Sequence, residues 1–294
     1  MTLFVVVAAL PWIMSVALRT YAHRTADDRS PYSTVVVVPV LAAVTAFGVV
    51  ASSAALGSVL CASGNAALIG VGVVVLGWVV WRLASVVAHC RRVVVSARDA
   101  RPFSASARTN GGTVVVESTE PDAFAVASGG GAVVVTTALV EMLSDTELQT
   151  VIEHERGHLR FRHSAWTQMV EIAAQLNPLL RPVVGHVRHA AERHADEHAA
   201  ALHNRRAAMS ALARTALLRA HVERNTTALS STGGDVVRRV RALTEPAPPP
   251  QRRPVVVAAV VLIVAFSAMS IALADVVQDV ISPEAGEAPT SVFR

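Results

Sequence analysis

Two histidines and a glutamate near the middle of the chain are spaced as they must be to hold a metal ion from one face of a helix. They lie in the segment VIEHERGHLRFRH, as His154-Glu155-Arg156-Gly157-His158. Side chains four residues apart share a helix face, so His154 and His158 can both bind one zinc ion. Glu155 lies about 100° round the helix from His154 and can face a water molecule as a general base. A catalytic zinc site has three protein ligands and one open position, so this helix lacks one ligand.

The missing ligand is expected downstream, in the segment AAERHADEHAA (Ala190–Ala200). A glutamate from a second helix can complete such a site, and Glu192 is the predicted third ligand. Asp196, one helical turn later, is predicted to orient a ligand histidine through a hydrogen bond. Four neighbouring side chains compete with Glu192 for the role: His189, His194, Glu197 and His198.

His163 follows the motif closely and is a further candidate ligand. In the pattern of three histidines on one zinc, the third stands six residues after the second, where this chain has Ser164. His163 is therefore out of register by one residue. The sequence favours a solvated histidine at the helix end, close to Arg160 and Arg162.

Local signals predict the elements that hold these residues. Three short runs read as strands, each close to a glycine: GTVVVES (Gly112–Ser118), AFAVA (Ala123–Ala127) and AVVVTT (Ala132–Thr137). Ser144 and Glu147 form a capping box that opens the helix carrying the motif. Further helices are predicted over about Ala165–Leu176 and His186–His203. The fold class is mainly α with a small β-sheet.

Long uncharged runs predict a membrane protein. The chain is 52% hydrophobic and 16% charged, below the ~25% of charged residues typical of soluble domains. Four transmembrane helices are predicted, at Leu3–Leu18, Val36–Leu60, Ala66–Val87 and Val255–Leu273. A cleaved signal peptide is the alternative for the first of them, although no basic residue precedes it. The organisation is three transmembrane helices (1–88), a peptidase domain (89–243), a proline-rich linker (244–254), a fourth helix (255–274) and a short extracytoplasmic tail (275–294).

The distribution of arginine predicts the orientation in the membrane. All 26 basic residues are arginines, and many flank the predicted spans, including Arg82, Arg91, Arg92, Arg238, Arg239 and Arg241. Basic residues concentrate on the cytoplasmic side, so residues 89–253 are predicted to be cytoplasmic. No motif or aromatic platform accompanies the charge, so we expect a lipid bilayer and no specific nucleic acid as partner.

The segment PDAFAVASGGGAVVVTTALVEMLSDTELQTVIEHERGH resembles the membrane gluzincin peptidases of the HtpX-like and prenyl-protein endopeptidase group. ERHAD (Glu192–Asp196) resembles the element that carries their third ligand. The segment LNPLLRP (Leu176–Pro182) and the number of spans are more similar to the BlaR/MecR-type sensor peptidases. Their extracellular penicillin-binding domain has no counterpart in the 20 or so residues after the last span, so antibiotic sensing by that route is not expected.

The resemblance implies an activity and a way of binding substrate. It implies one Zn²⁺ per chain, hydrolysis of peptide bonds in a polypeptide substrate, and a strand that binds the substrate through Ala123, Phe124 and Ala125. The predicted function is an integral membrane zinc endopeptidase of the bacterial inner membrane, with its active site in the cytoplasm, acting in membrane protein quality control or regulated proteolysis. Two alternatives are a non-catalytic membrane regulator with a structural metal site and a membrane adaptor without metal. The oxyanion-stabilising residue is left open between His189, Arg193 and His198.

Overall fold

Three long helices form the first third of the structure. This computed structural model describes residues 2–25, 30–103, 106, 112–225 and 233–247, and the isolated residues 260, 264, 271 and 278. The helices are α1 (Thr2–Thr25), α2 (Pro31–Cys61) and α3 (Ala66–Asp99). Apart from these isolated residues, the predicted fourth span, the tail and most of the linker lie outside the described residues.

A small sheet and six further α-helices follow in residues 112–225 and 233–247. The strands are β1 (Thr113–Val116), β2 (Ala123–Val126) and β3 (Ala132–Thr136); the helices are α4 (Thr137–Met142), α5 (Asp145–Arg160), α6 (His163–Leu176), α7 (Arg181–Leu202), α8 (Arg205–Asn225) and α9 (Gly233–Thr244). The three predicted strands and the mainly helical fold are confirmed. The predicted helix His186–His203 begins earlier, at Arg181, because Pro182 fits the first turn, where a missing N–H costs nothing.

The sheet is mixed and leaves β2 at an edge. Its strand order is β1-β3-β2, with β1 parallel and β2 antiparallel to β3. All five residues of β3 are buried, as expected for a central strand with both faces covered. β2 lies next to α5, so the edge of the sheet borders the helix that carries His154 and His158.

The predicted capping box at the start of α5 is present and does more than cap the helix. The Ser144 hydroxyl accepts the N–H of Glu147, and the Glu147 carboxylate accepts the N–H of Ser144. The same carboxylate accepts hydrogen bonds from Ser210 and Arg214 on α8. These bonds lower the pKa of Glu147, with the Ser144 N–H contributing most. One residue therefore fixes the start of α5 and ties it to α8.

Two of the helices are long and apolar enough to cross a membrane. Among the described residues these are α2 and α3, which contain the predicted spans Val36–Leu60 and Ala66–Val87. Much of α3 presents large apolar side chains outward; Val71, Val73, Val74, Val80 and Trp81 are each more than half exposed. Such a surface fits contact with lipid tails. The first predicted span lies in α1, which is not one of the two.

The N-terminal helices α1 and α2 share a core with the helices of the predicted peptidase domain. Leu18 of α1 and Val38 of α2 are buried in one cluster with Val170 of α6 and Val183 of α7. A buried hydrogen bond reinforces this contact, since the Asn177 amide donates to the Ser15 hydroxyl at 2.7 Å. α2 consequently begins at Pro31, five residues before the predicted Val36, because its first turns pack on α7.

Helices α2 and α3 approach closely at two glycines. A Cβ atom added at Gly72 would lie 2.7 Å from the Gly57 carbonyl oxygen and 2.9 Å from the Cys61 nitrogen. These contacts are with backbone atoms, so a side chain could be accommodated only by separating the helices. A Cβ added at Gly70 or Gly77 on the same helix would meet nothing within 4 Å.

We expect Gly72→Ala to destabilise the α2–α3 pair by about 1–3 kcal/mol, the usual effect of overpacking a well-packed interface. The measurement is the melting temperature of the detergent-purified chain. Gly70→Ala and Gly77→Ala are matched controls and should leave the melting temperature unchanged or raise it slightly, because alanine favours a helix. Equal melting temperatures for all three variants would contradict the close approach of the helices.

Candidate metal centre

Three side chains from α5 and α7 converge on one point. His154 Nε2 and His158 Nε2 are 3.2 Å apart, and Glu192 oxygens lie 3.6 and 3.5 Å from these two nitrogens. Ligands bound 2.0–2.1 Å from a tetrahedral ion are themselves roughly 3.4 Å apart. The donor set of two imidazoles and a carboxylate, and its spacing, therefore fit a zinc ion. This is the only such group of three found among the described residues.

The close crossing of α5 and α7 depends on Gly157. A Cβ atom at this position would lie 3.2 Å from the His198 ring and 3.4 Å from Cα of Ala195. A methyl group there would already be in tight contact with α7, and the His198 ring would have to shift by a few tenths of an ångström. The glycine inside the motif thus allows Glu192, on α7, to reach the histidines of α5.

Asp196 lies behind the first histidine. Its carboxylate is 3.0 Å from Nδ1 of His154, on the ring side opposite Nε2. A hydrogen bond from Nδ1–H leaves the lone pair of Nε2 directed at the convergence point, which is the usual arrangement of a metal-binding histidine. Asp196 is itself held by Arg239 of α9 through two hydrogen bonds of 2.8 Å. Arg239 also contacts Glu192 at 2.8 Å.

The acidic groups make this point favourable for positive charge. Burial alone would lower the pKa of His154, but hydrogen bonds to Asp196 and Glu192 outweigh it and raise that pKa to about 10. Burial lowers the pKa of His158 to about 4. Burial would raise the pKa of Glu192, yet His154 and Arg239 hold it below its usual range. Glu192 is therefore an anionic donor, and His158 a neutral one.

The three side chains line one side of a cavity of about 1180 Å³, and Glu155 lines it beside them. Ala123 and Ala125 of β2 also line the cavity, so the edge of the sheet borders the same space. Phe124 lies on the other face of the strand, where its ring packs edge-on against Phe103. Of the three predicted substrate-binding residues, two have side chains at the cavity.

The side chains that compete with Glu192 contact other groups. Glu197 forms a two-point ion pair with Arg205, at 2.7 and 3.0 Å. His189 pairs with Asp235 of α9, and His198 packs edge-on against Phe161. Among these acidic and histidine side chains of α7, Glu192 is the one that contacts both His154 and His158.

His163 is not solvated, and the expectation of a solvent-exposed histidine at the helix end is wrong. It is 1% exposed, and its two ring nitrogens contact His158 and His194. Burial lowers its pKa to about 3, with the neighbouring histidines contributing. The contact with His194 has no local signal in the sequence, because the two histidines are 31 residues apart.

Sequence reasoning also missed Arg239, which was counted among the arginines flanking a span. Its side chain is only 11% exposed and bridges Glu192 and Asp196. Arg156, inside the motif, contacts Glu153 and donates to the Thr113 hydroxyl of β1, with its side chain 42% exposed. It is not one of the converging side chains of the metal centre.

Comparisons with known proteins match the region that contains the histidine motif. The model of peptidase family M48 matches residues 91–181, which include His154, Glu155 and His158 and end before Glu192. The plastoglobule-localized metallopeptidase 48 of Arabidopsis thaliana is 40% identical over 60 residues, 20% of this chain and 17% of that protein. A protease HtpX homolog of Thermoanaerobacter pseudethanolicus is 39% identical over 72 residues, 24% of each chain.

The matched part therefore spans less than a quarter of the curated relatives' lengths. No solved structure matches the chain significantly. The family match includes the histidine motif. The match to peptidase family M48 confirms the resemblance to the HtpX-like membrane gluzincin metallopeptidases that the sequence predicted.

Proposed function

We propose that this chain is an integral membrane zinc endopeptidase. It would cut polypeptide substrates at the cytoplasmic face of a bacterial inner membrane, in membrane protein quality control or regulated proteolysis. The observation that carries the proposal is the group of His154, His158 and Glu192 with Glu155 beside it in one cavity. The similarity to family M48 supports the peptidase, and two long apolar helices support the membrane location.

Each residue has a definite role in the proposed reaction. His154, His158 and Glu192 would hold one zinc ion, and Asp196 would orient His154 through its hydrogen bond. Zinc held in such a site acts as a Lewis acid and lowers the pKa of water to about 7. Glu155 would take a proton from the attacking water as the new C–O bond forms. It would then pass that proton to the amine nitrogen as the C–N bond breaks.

The substrate would bind in an extended conformation along β2. An edge strand can accept a further strand, so that main-chain hydrogen bonds give affinity and alternate side chains give specificity. Ala123 and Ala125 line the cavity with small side chains, which leaves space for the side chains of a peptide. Phe124 would then contribute through its backbone, because its ring packs on Phe103.

Removal of the metal is the direct test of this function. The detergent-purified chain should contain one zinc and hydrolyse a generic unfolded protein. Dialysis against a strong chelator should abolish hydrolysis, and one equivalent of Zn²⁺ should restore it. Loss of thermal stability without any hydrolysis in the loaded protein would instead favour a non-catalytic regulator with a structural metal site.

The proposed orientation can be tested by cysteine labelling. In a chain with Cys61 and Cys90 replaced by serine, we expect Ala62→Cys, in the turn between α2 and α3, to react with a membrane-impermeant maleimide on intact cells. Leu202→Cys, at a position 56% exposed at the end of α7, should react only after the membrane is opened. Labelling of Leu202→Cys on intact cells would contradict a cytoplasmic active site.

A further inference from the structure

The two histidines of the metal centre have different partners on their far sides. Nδ1 of His154 faces the carboxylate of Asp196, the common partner of a metal-binding histidine. Nδ1 of His158 faces another imidazole, with Nδ1 of His163 at 3.0 Å. Nε2 of His163 in turn lies 2.9 Å from Nδ1 of His194 on α7. Three imidazoles thus form a chain that leads away from the centre.

The direction of every hydrogen bond in this chain follows from its first member. Nε2 of His158 faces His154 and Glu192, so it must present a lone pair there if it is to bind a metal. Neutral His158 then carries its proton on Nδ1 and donates it to Nδ1 of His163. Neutral His163 accordingly carries its own proton on Nε2 and donates it to Nδ1 of His194.

The backbone before His163 directs this side chain inward. Arg162 has φ 53° and ψ 41°, and it is the only residue other than glycine with positive φ among the described residues. This left-handed conformation is unfavourable for an arginine and needs support from the surrounding structure. It lies between the end of α5 and the start of α6, and the first residue of α6, His163, contacts His158 near the end of α5.

From this geometry we infer that His163 is a positioning residue for His158. It accepts the Nδ1–H of His158, which fixes the tautomer and ring orientation that direct Nε2 at the metal. His194 keeps His163 in the tautomer that can accept this bond. The aromatic ring of Phe161 packs against both His163 and His194 and limits their rotation. The inference rests on the proposed role of His158 as a metal ligand.

Two substitutions separate positioning from packing. In His163→Asn the amide lies close to the position of Nδ1, so its oxygen can still accept from His158. In His163→Gln the amide lies close to the position of Nε2, so the acceptor for His158 is lost while contact with His194 is possible. Both variants replace the imidazole by an amide, which makes each the control for the other.

The measurement is the affinity of the full detergent-purified chain for Zn²⁺, by competition with a chelating dye. Removing the outer partner of a metal ligand typically costs 10–100-fold in affinity. We expect His163→Gln to lose zinc affinity by 10–100-fold and His163→Asn to stay within about threefold of the unaltered chain on the same scale. The melting temperatures of the two metal-free variants should agree.

Equal zinc affinity of His163→Asn and His163→Gln, whether both are weakened or neither is, would overturn the positioning role. His158→Ala distinguishes this failure from failure of the metal site itself. If His158→Ala loses tight zinc binding while His163→Gln keeps it, only the positioning role is wrong. If His158→Ala binds zinc as tightly as the unaltered chain, the proposed metal site is wrong as well.

Discussion

Glu155→Gln is expected to keep one zinc per chain and to lose hydrolysis by about 10²–10⁴-fold, the usual contribution of a general base. Glu155 lines the cavity but is not one of the three converging donors, so its replacement by an amide of the same size should leave the metal in place. An amide cannot take a proton from water at neutral pH. The measurements are zinc content by mass spectrometry and the initial rate of cleavage of an unfolded protein.

Glu153→Gln is a suitable control, since this residue lies on the same helix and pairs with Arg156 away from the metal centre. It should retain both zinc and activity. A Glu155→Gln variant that cleaves at the unaltered rate would remove Glu155 from the mechanism. A variant that loses its zinc would make Glu155 part of the metal site.

Glu192→Ala is expected to abolish tight zinc binding and, with it, all hydrolysis. Two histidines alone leave zinc one protein ligand short of the three found in catalytic sites. The fold should survive, because Arg239 keeps its two hydrogen bonds to Asp196 when Glu192 is removed. Zinc content of the purified variant and the melting temperature of its metal-free form measure the two effects separately.

His198→Ala provides the comparison, since His198 lies on the same helix and packs against Phe161 rather than meeting the converging donors. It should keep one zinc per chain. Stoichiometric zinc in Glu192→Ala together with metal loss in His198→Ala would assign the third ligand to the histidine.

Elements with local signals were predictable from the sequence. Ser144 and Glu147 are three residues apart, and their capping box opens α5 as expected. The valine-rich strands β1 and β3 are bounded by glycines, and both were predicted within a few residues. The start of α2 was not predictable in this way. Hydropathy alone does not distinguish an apolar residue that faces lipid from one that packs on α7. Pro31 begins the helix where tertiary contacts begin.

The residues of the candidate site were likewise predictable only in part. The spacing of His154 and His158 is a property of one helix, and the convergence of both histidines with Glu192 required only that a second helix cross the first. The environments of Arg239 and His163 were not predicted, because Asp196 is 43 residues from Arg239 and His194 is 31 residues from His163. Contacts between residues so far apart produce no periodic pattern in the sequence. Their polarity suggested solvent, whereas the fold buries His163 and leaves the Arg239 side chain only 11% exposed.

The core that α1 and α2 share with α6 and α7 has a consequence for any attempt to isolate the catalytic part. A fragment limited to residues 89–243 would lack Leu18, Ala42 and Ala46, which are buried against the same helices. It would expose Val170 and Val183 to water and leave the buried Asn177 without Ser15. Exposed apolar faces of this kind promote aggregation. The proposed hydrolytic unit therefore includes α1 and α2, and a version without these helices would need the surfaces that they cover to be redesigned.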